Sequence, residues 1–250
     1  MKAGLNPGGK KMWCIKEMTP SFVAKMEDVL EVYQRPLNPK EPVVCLDERP
    51  VCLHQEIHPP LDPVRAGEIL KRDYEYVRAG TANVFCGVEP KTGRTFTKAT
   101  PNRKGPELAQ MVKEIVRAYP ESEKIHLIWD NLNTHKEKPL VEFFGEEEGH
   151  KIWKKVEVHY TPEHGSWLNQ AEMAISILSR QCLGKRRIGS FEELRMETNA
   201  WNRFANRNPA PVRWTFTVSK ARKKFGSSGD RVGDFWGKRL LRVTLCSMTG

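Results

Sequence analysis

Two short apolar runs, each stopped by an aspartate, constrain this chain more than any other feature. Val43-Val44-Cys45-Leu46 ends at Asp47-Glu48, and Ile125–Trp129 ends at Asp130. Apolar runs of this length, bounded by polar residues, read as buried strands. In sheets covered by helices, side chains at the carboxyl ends of strands converge on one edge, where ligands bind. The chain is therefore expected to fold as α/β, with both aspartates at such an edge.

The other elements follow from periodicity. Phe22, Val23, Met26, Val29, Leu30 and Tyr33 predict an amphipathic helix over 20–34, with Thr19 as its cap and Pro20 in its first turn. Residues 36–42 read as a linker. Residues 49–80 are Pro-rich and charged, and they predict mostly loop with a hairpin around Val51–Glu56. Strands are expected over Ala82–Val88 and Arg94–Lys98, joined by a turn at 89–93. Leu108, Met111, Val112, Ile115, Val116 and Tyr119 predict a helix over 106–119. A helix from about His135 to Phe144, an acidic loop Gly145–Gly149, and a strand Val156–Tyr160 come next. Helices at about 168–182 and 190–206 close the pattern, the second opened by Ser190-Phe191-Glu192-Glu193, a capping-box pattern. The expected architecture is a mixed five-stranded sheet flanked by helices.

Composition narrows the class. The chain has 250 residues, of which 39% are hydrophobic, enough apolar surface to build a core and to exclude a disordered polypeptide. No run approaches the ~20 apolar residues of a membrane span. Residues Met1 to Lys11 lack the apolar stretch of a secretory signal. The six cysteines form no C-x-x-C pair and read as reduced thiols of a cytoplasmic protein. The net charge of +10 is uneven: residues 180–250 hold 16 Lys and Arg against 5 Asp and Glu. Lys185-Arg186-Arg187 and Arg222-Lys223-Lys224 are its densest points, and Trp201, Trp214 and Phe216 are interleaved with it. Arg203, Arg207 and Arg213 complete the basic flank, which fits a phosphate-backbone partner and fits equally a solvated surface that keeps the protein soluble.

A third acid joins the two aspartates. On a helical wheel Leu168, Ala171, Ile175, Leu178 and Cys182 form an apolar stripe, and Glu172 falls about 90° from its centre, half facing the sheet. Three acids around one point repel one another unless a cation lies between them. Oxygen donors with open positions suit Mg²⁺ or Mn²⁺, and two such ions activate a hydroxyl and stabilise the leaving oxygen of a phosphodiester. His54 and His58 stand four apart, but Pro59-Pro60 follow and no third ligand is evident, so zinc is rejected there.

At these residues the chain resembles insertion-sequence transposases of the DDE superfamily, in the bacterial branch related to the mariner elements. The matching strings are Val43–Glu48, Arg72–Thr81, Trp129-Asp130-Asn131-Leu132-Asn133-Thr134-His135 and His164–Glu172, with further similarity at Trp201–Arg207 and Trp214–Ala221. The resemblance implies a ribonuclease H-like core spanning 43–206, preceded by a helical connector over 1–42 and followed by a basic extension. It implies a catalytic and metal-binding triad of Asp47, Asp130 and Glu172, two Mg²⁺ ions, and cleavage and transfer of DNA strands at transposon ends. Asn131, Asn133, His135, Trp167 and Asn169 are the supporting polar and aromatic residues; most are expected to shape turns, cap helices or pack. A homodimer is the implied assembly. Three features depart from the family. The chain begins too late for the N-terminal helix-turn-helix of such enzymes, so base-specific readout is expected to be lost. The 42-residue step from Asp130 to Glu172 is longer than in mariner relatives. Residues after about 225 resemble nothing in the family and are expected to be poorly ordered. The rival reading is a catalytically silent, DNA-binding remnant.

Overall fold

The centre of the structure is a parallel pairing between the two aspartate-ended runs. In this computed structural model, which describes residues 18–61, 65, 69, 71–131, 135–184 and 186–225, strand β1 is Val43–Glu56 and β4 is Ile125–Trp129. Val43, Val44 and Cys45 stand opposite His126, Leu127 and Ile128. Strand β2 (Tyr76–Glu89) pairs antiparallel with β1, β3 (Arg94–Thr100) pairs antiparallel with β2, and β5 (Val156–Tyr160) runs parallel to β4. The sheet order is β3-β2-β1-β4-β5. This is the expected mixed five-stranded sheet.

Helices α1 (Pro20–Gln34), α2 (Gly105–Arg117), α3 (Lys138–Phe144), α4 (Glu146–Lys154), α5 (Ala171–Leu178) and α6 (Phe191–Arg207) surround it. Strand alternation sorts the core into two layers. Val44, Leu46, Phe85, Leu127 and Trp129 face α2, α3 and α4 and pack with Leu108, Met111, Ile115, Leu140 and Ile152. Further along the sheet, Leu53, Ala82, Val84 and Ala99 pack with Leu178, Leu183, Leu194 and Trp201 of the α5–α6 region. The termini of α1 and α6 match the sequence reading: Thr19 Oγ1 accepts the Phe22 N–H at 3.1 Å, and Ser190 Oγ accepts the Glu193 N–H at 3.1 Å. Glu193 reaches back to the Gly189 N–H at 2.8 Å, one residue beyond the usual capping-box partner.

Five expectations need correction. Strand β1 does not stop at Asp47. It continues to Glu56, so the expected hairpin at Val51–Glu56 is part of one long strand. Its partner β2 begins at Tyr76, inside the stretch expected as loop. Tyr76–Thr81 are exposed, so this part of the ribbon lacks the apolar alternation that marks a half-buried strand. It is held instead by Arg187, whose guanidinium donates to Glu56, Tyr74 O and Glu75 O and lies 4.9 Å from the Tyr76 ring centroid. The helix expected from His135 begins at Lys138. The acidic loop at 145–149 is the first turn of α4, where Glu146, Glu147 and Glu148 meet the positive end of the helix dipole. Gly145, at φ +84°, makes the sharp corner between α3 and α4. The helix expected over 168–182 is three pieces: a 3₁₀ turn Ser166–Leu168, α5, and a π-turn Ser179–Leu183.

The edge strand β3 is covered. Asn206 of α6 accepts the Thr95 N–H and donates to the Thr95 carbonyl, both at 2.9 Å, and Thr97 Oγ1 donates to the Thr198 carbonyl at 3.2 Å. Cys45, Cys86 and Cys182 are buried free thiols and Cys52 is an exposed one. No helix among the described residues is long and apolar enough to cross a membrane. The chain divides into two compact units between Trp214 and Thr215. In the second, helix α7 (Val218–Phe225) carries Arg222, Lys223 and Lys224, and Lys224 Nζ lies 5.5 Å from the Phe225 ring centroid. Asn133, Lys185 and the tail after 225 lie outside the described residues.

Gly149 is the point where α4 meets α3: a Cβ there would stand 2.6 Å from Val141 Cα. Gly149→Leu is expected to lower the thermal midpoint by roughly 3–10 °C, as overpacking does. Lys151→Ala, on an exposed position of the same helix, is expected to leave it within about 2 °C. Paired thermal melts check both.

Candidate active site

The strand register places the first two acids. Cys45 stands opposite Ile128. Two residues further along each segment come Asp47 and Asp130, just beyond the last paired position of the parallel ladder. Within β1 the period of two turns Asp47 away from Leu46 and toward the face covered by α5, while Asp130 follows the last residue of β4. Glu48, by the same rule, faces the other way. It accepts from Arg103 at 3.2 Å and lies 3.8 Å from His135 Nε2.

Glu172 arrives in the first turn of α5, and the start of that helix is pinned to β1. Asn169, 2% exposed, donates from Nδ2 to the Leu46 carbonyl at 2.9 Å and accepts the Ala171 N–H through Oδ1 at 3.1 Å. One amide thus joins the residue before Asp47 to the residue before Glu172. Tyr33 of α1 adds a second tie: its hydroxyl donates to the Leu168 carbonyl at 2.7 Å and receives the Gln170 N–H at 3.4 Å. Burial pushes the Tyr33 phenol well above its ordinary range, so it remains a neutral donor.

The three carboxylates feel one another. Burial pushes Asp47 up to about 6, and the charges of Glu48, Asp130 and Glu172 push in the same direction, against the Glu48 N–H that bonds its Oδ1 at 2.8 Å. The side chain of Asp130 is held by His135, whose Nδ1 lies 2.5 Å from Asp130 Oδ1 and 3.0 Å from the Asp130 carbonyl. Burial disfavours the His135 cation, but bonds to Asp130 and the charges of Asp130 and Glu48 outweigh it and raise its pKa. His135 also stacks on Trp129, 4.6 Å between centroids. Glu172 itself is exposed, and Asn131 is exposed beside Asp130. Trp167 is half-buried in the 3₁₀ turn before α5.

The donor set fits hard dications. It is made of carboxylate oxygens, one of them on the half-buried Asp47, driven toward neutrality by desolvation and further by the neighbouring acids. Among the described residues, the group of three whose ligand atoms all fall within 4.8 Å is His126, Glu157 and His159. The three acids do not form such a group: at least one pair of them stands farther apart than that.

The basic residues divide. Arg186 donates to the Cys182 carbonyl and to Glu197, and Arg187 is committed to the β1–β2 ribbon. Both of these arginines, expected as DNA contacts, have partners within the protein. Their partners lie far away in sequence or in a turn, so a count of charges could not reveal them. Arg203 and Arg207 are exposed on successive turns of α6, and Arg213 is exposed beyond it. His54 packs on Tyr76 and His58 pairs with Asp73 at 2.7 Å. Sequence reading missed Tyr33 as a clamp on the Glu172 segment. It also missed the pairing of His126 with His159, both at alternate positions of adjacent parallel strands.

A family profile described as DDE superfamily endonuclease matches residues 42–195. No curated protein matches the sequence. The fold is similar to the pre-cleavage Mos1 transpososome (TM-score 0.52, 13% identity, covering 88% of this chain and 67% of that one). It is also similar to the Mos1 strand transfer complex (TM-score 0.50, 12% identity, covering 86% and 62%). At this identity the likeness is one of fold. The chain spans between 62% and 67% of the length of those two solved chains.

The raised Asp47 gives a signature. Folded Asp47 holds its proton up to about 6, against an ordinary 3.8. The folded state therefore binds more protons in that window, and metal-free stability falls as pH rises through it. Mg²⁺ at neutral pH is expected to restore stability. Asp47→Asn is expected to flatten both the pH slope and the Mg²⁺ response in thermal melts between pH 4 and 7. Asn169→Ala strips a buried carbonyl and an amide of their partner, and is expected to cost about 1–3 kcal/mol in urea unfolding.

Proposed function

Because the chain belongs to the DDE superfamily endonucleases, we propose that it is a transposase catalytic domain that cleaves DNA strands at element ends and transfers them to a target. The observation that supports this reading is that the charges of Asp130 and Glu172 both reach Asp47 at the end of the paired strands. Asp47, Asp130 and Glu172 are the proposed ligands of two Mg²⁺ or Mn²⁺ ions. When bound, such ions activate a water or 3′-hydroxyl and stabilise the leaving oxygen of the phosphodiester.

The chain's own groups have separate tasks in this reading. Asn169 and Tyr33 fix the start of α5, so that Glu172 stands at a set distance from β1. His135 bonds the Asp130 carbonyl and lies against its carboxylate, fixing the backbone from which Asp130 projects. Partial burial of Asp47 strengthens the electrostatics it feels. Duplex DNA is the proposed substrate. Exposed Arg203, Arg207 and Arg213 are its proposed backbone contacts in the first unit, and Arg222, Lys223 and Lys224 those in the second. The catalytic region is assigned to 43–206, with α1 as the helix leading into it.

Supercoiled plasmid with Mg²⁺ or Mn²⁺ is expected to become nicked. Asp130→Asn is expected to lose more than the roughly 10–100-fold that follows loss of an outer partner of a metal ligand. Plasmid that is bound in a salt-dependent way and left intact with either ion would instead identify a silent DNA-binding remnant. Arg203→Ala with Arg207→Ala is expected to weaken duplex binding across sequences. It should reduce the slope of log affinity against log salt by about 2.

A further inference from the structure

A second cluster lies on the α1-covered face of the sheet, at the other end of β4 from Asp130. His126 of β4 and His159 of β5 are buried, at 2% and 4% exposure. Glu157 of β5 stands beside them with its side chain 48% exposed. His126 Nδ1 lies 2.9 Å from His159 Nε2, and Glu157 Oε1 lies 3.8 Å from each of these nitrogens. A tetrahedral zinc-class ion with bonds of about 2.0–2.1 Å needs donors about 3.3 Å apart, and the three separations straddle that value. The remaining nitrogen of His159 is already oriented: Nδ1 donates to Asp28 Oδ2 of α1 at 2.8 Å. A carboxylate behind the imidazole is the usual support of a metal-bound histidine, fixing its tautomer and raising its basicity.

We propose that His126, Glu157 and His159, backed by Asp28, form a site for a nitrogen-preferring transition-metal dication such as Zn²⁺, separate from the three-carboxylate site and serving to staple α1 to β4 and β5. Two imidazoles and one carboxylate favour such an ion over Mg²⁺, which prefers oxygen. Exposed Glu157 and half-exposed Asp28 give the ion a way in from solvent. The site leaves a fourth position for water.

Arg35, at the C-terminus of α1, competes with the ion. Its guanidinium lies 2.9 Å from His126 Nε2. Without metal, the four groups form a directed chain. Arg35 donates to His126 Nε2, His126 Nδ1–H donates to His159 Nε2, and His159 Nδ1–H donates to Asp28. With metal, His126 Nδ1 and His159 Nε2 both give lone pairs to the ion. The His126 proton moves to Nε2, with no net gain or loss, and exposed Arg35 turns away into water. The metal thus replaces one imidazole–imidazole hydrogen bond.

The test uses the full chain, free of any affinity tag, carrying Asp47→Asn and Asp130→Asn so that the carboxylate site does not contribute. Co²⁺ is titrated by visible absorption, and Zn²⁺ by calorimetry and displacement. One saturable Co²⁺ site is expected, with ligand-field bands of low coordination number, no sulfur charge-transfer band, and displacement by Zn²⁺. His126→Gln and His159→Gln are expected to weaken binding at least a hundredfold. Asp28→Asn is expected to weaken it about 10–100-fold. Glu157→Gln is expected to weaken it and Arg35→Gln to tighten it several-fold. No saturable binding, a thiolate band, or affinity that survives either histidine change in folded protein would overturn the proposal. If the histidine variants do not fold, the two exposed positions decide it: unchanged affinity in both Glu157→Gln and Arg35→Gln overturns it.

Discussion

The side-chain amide of Asn169 is the contact on which the geometry of the acidic site depends. It is buried, and it binds a strand carbonyl with its donor end and a helix N–H with its acceptor end. The junction is one where β1 leaves its parallel neighbour and α5 starts. An unmade bond to either would cost about 1–3 kcal/mol in a buried setting. The same two bonds set where the first turn of α5 sits against β1. The spacing of Asn169 to Glu172 then has a physical meaning: it is the distance from a helix anchor to the side chain that the helix delivers.

Sheet alternation divides the labour between the two faces. On one, Val44, Leu46, Leu127 and Trp129 make the main core with α2, α3 and α4. On the other, the residues between them, Cys45, Asp47, His126 and Ile128, meet α1 and α5. Polar groups are therefore concentrated on the second face, where each is tied: Tyr33 to Leu168, His159 to Asp28, Asn169 to Leu46. Both the carboxylate site and the histidine cluster belong to this face, at opposite ends of the same strands. Helix α1 contributes to both, through Tyr33 at one and through Asp28 and Arg35 at the other.

Much of this was legible in the sequence where burial imposes a period. The core strands Val43–Leu46, Ile125–Trp129 and Val156–Tyr160, and helices α1, α2 and α6, carry clear apolar patterns. The strand-end aspartates were legible for the same reason, as polar residues that break an apolar run. Legibility failed where tertiary contacts replace pattern. The outer half of the β1–β2 ribbon is exposed, and it is held by Arg187 from a segment more than a hundred residues away. Three consecutive glutamates between glycines read as solvated loop, although the same charges favour a helix start. Arg186 and Arg187 read as a basic patch because net charge carries no information about who pairs with whom. The histidine pair was hidden because its members are 33 residues apart and meet only through parallel pairing.

The clasp of Asn206 on Thr95 has a consequence for how copies of this chain meet. An outermost strand offers unsatisfied N–H and C=O groups to any other extended segment, and addition of a foreign strand is the common outcome. Here one amide occupies both groups of Thr95, and α6 lies along the same border. Lateral growth of the sheet through β3 is thereby blocked, which turns assembly between molecules toward other surfaces.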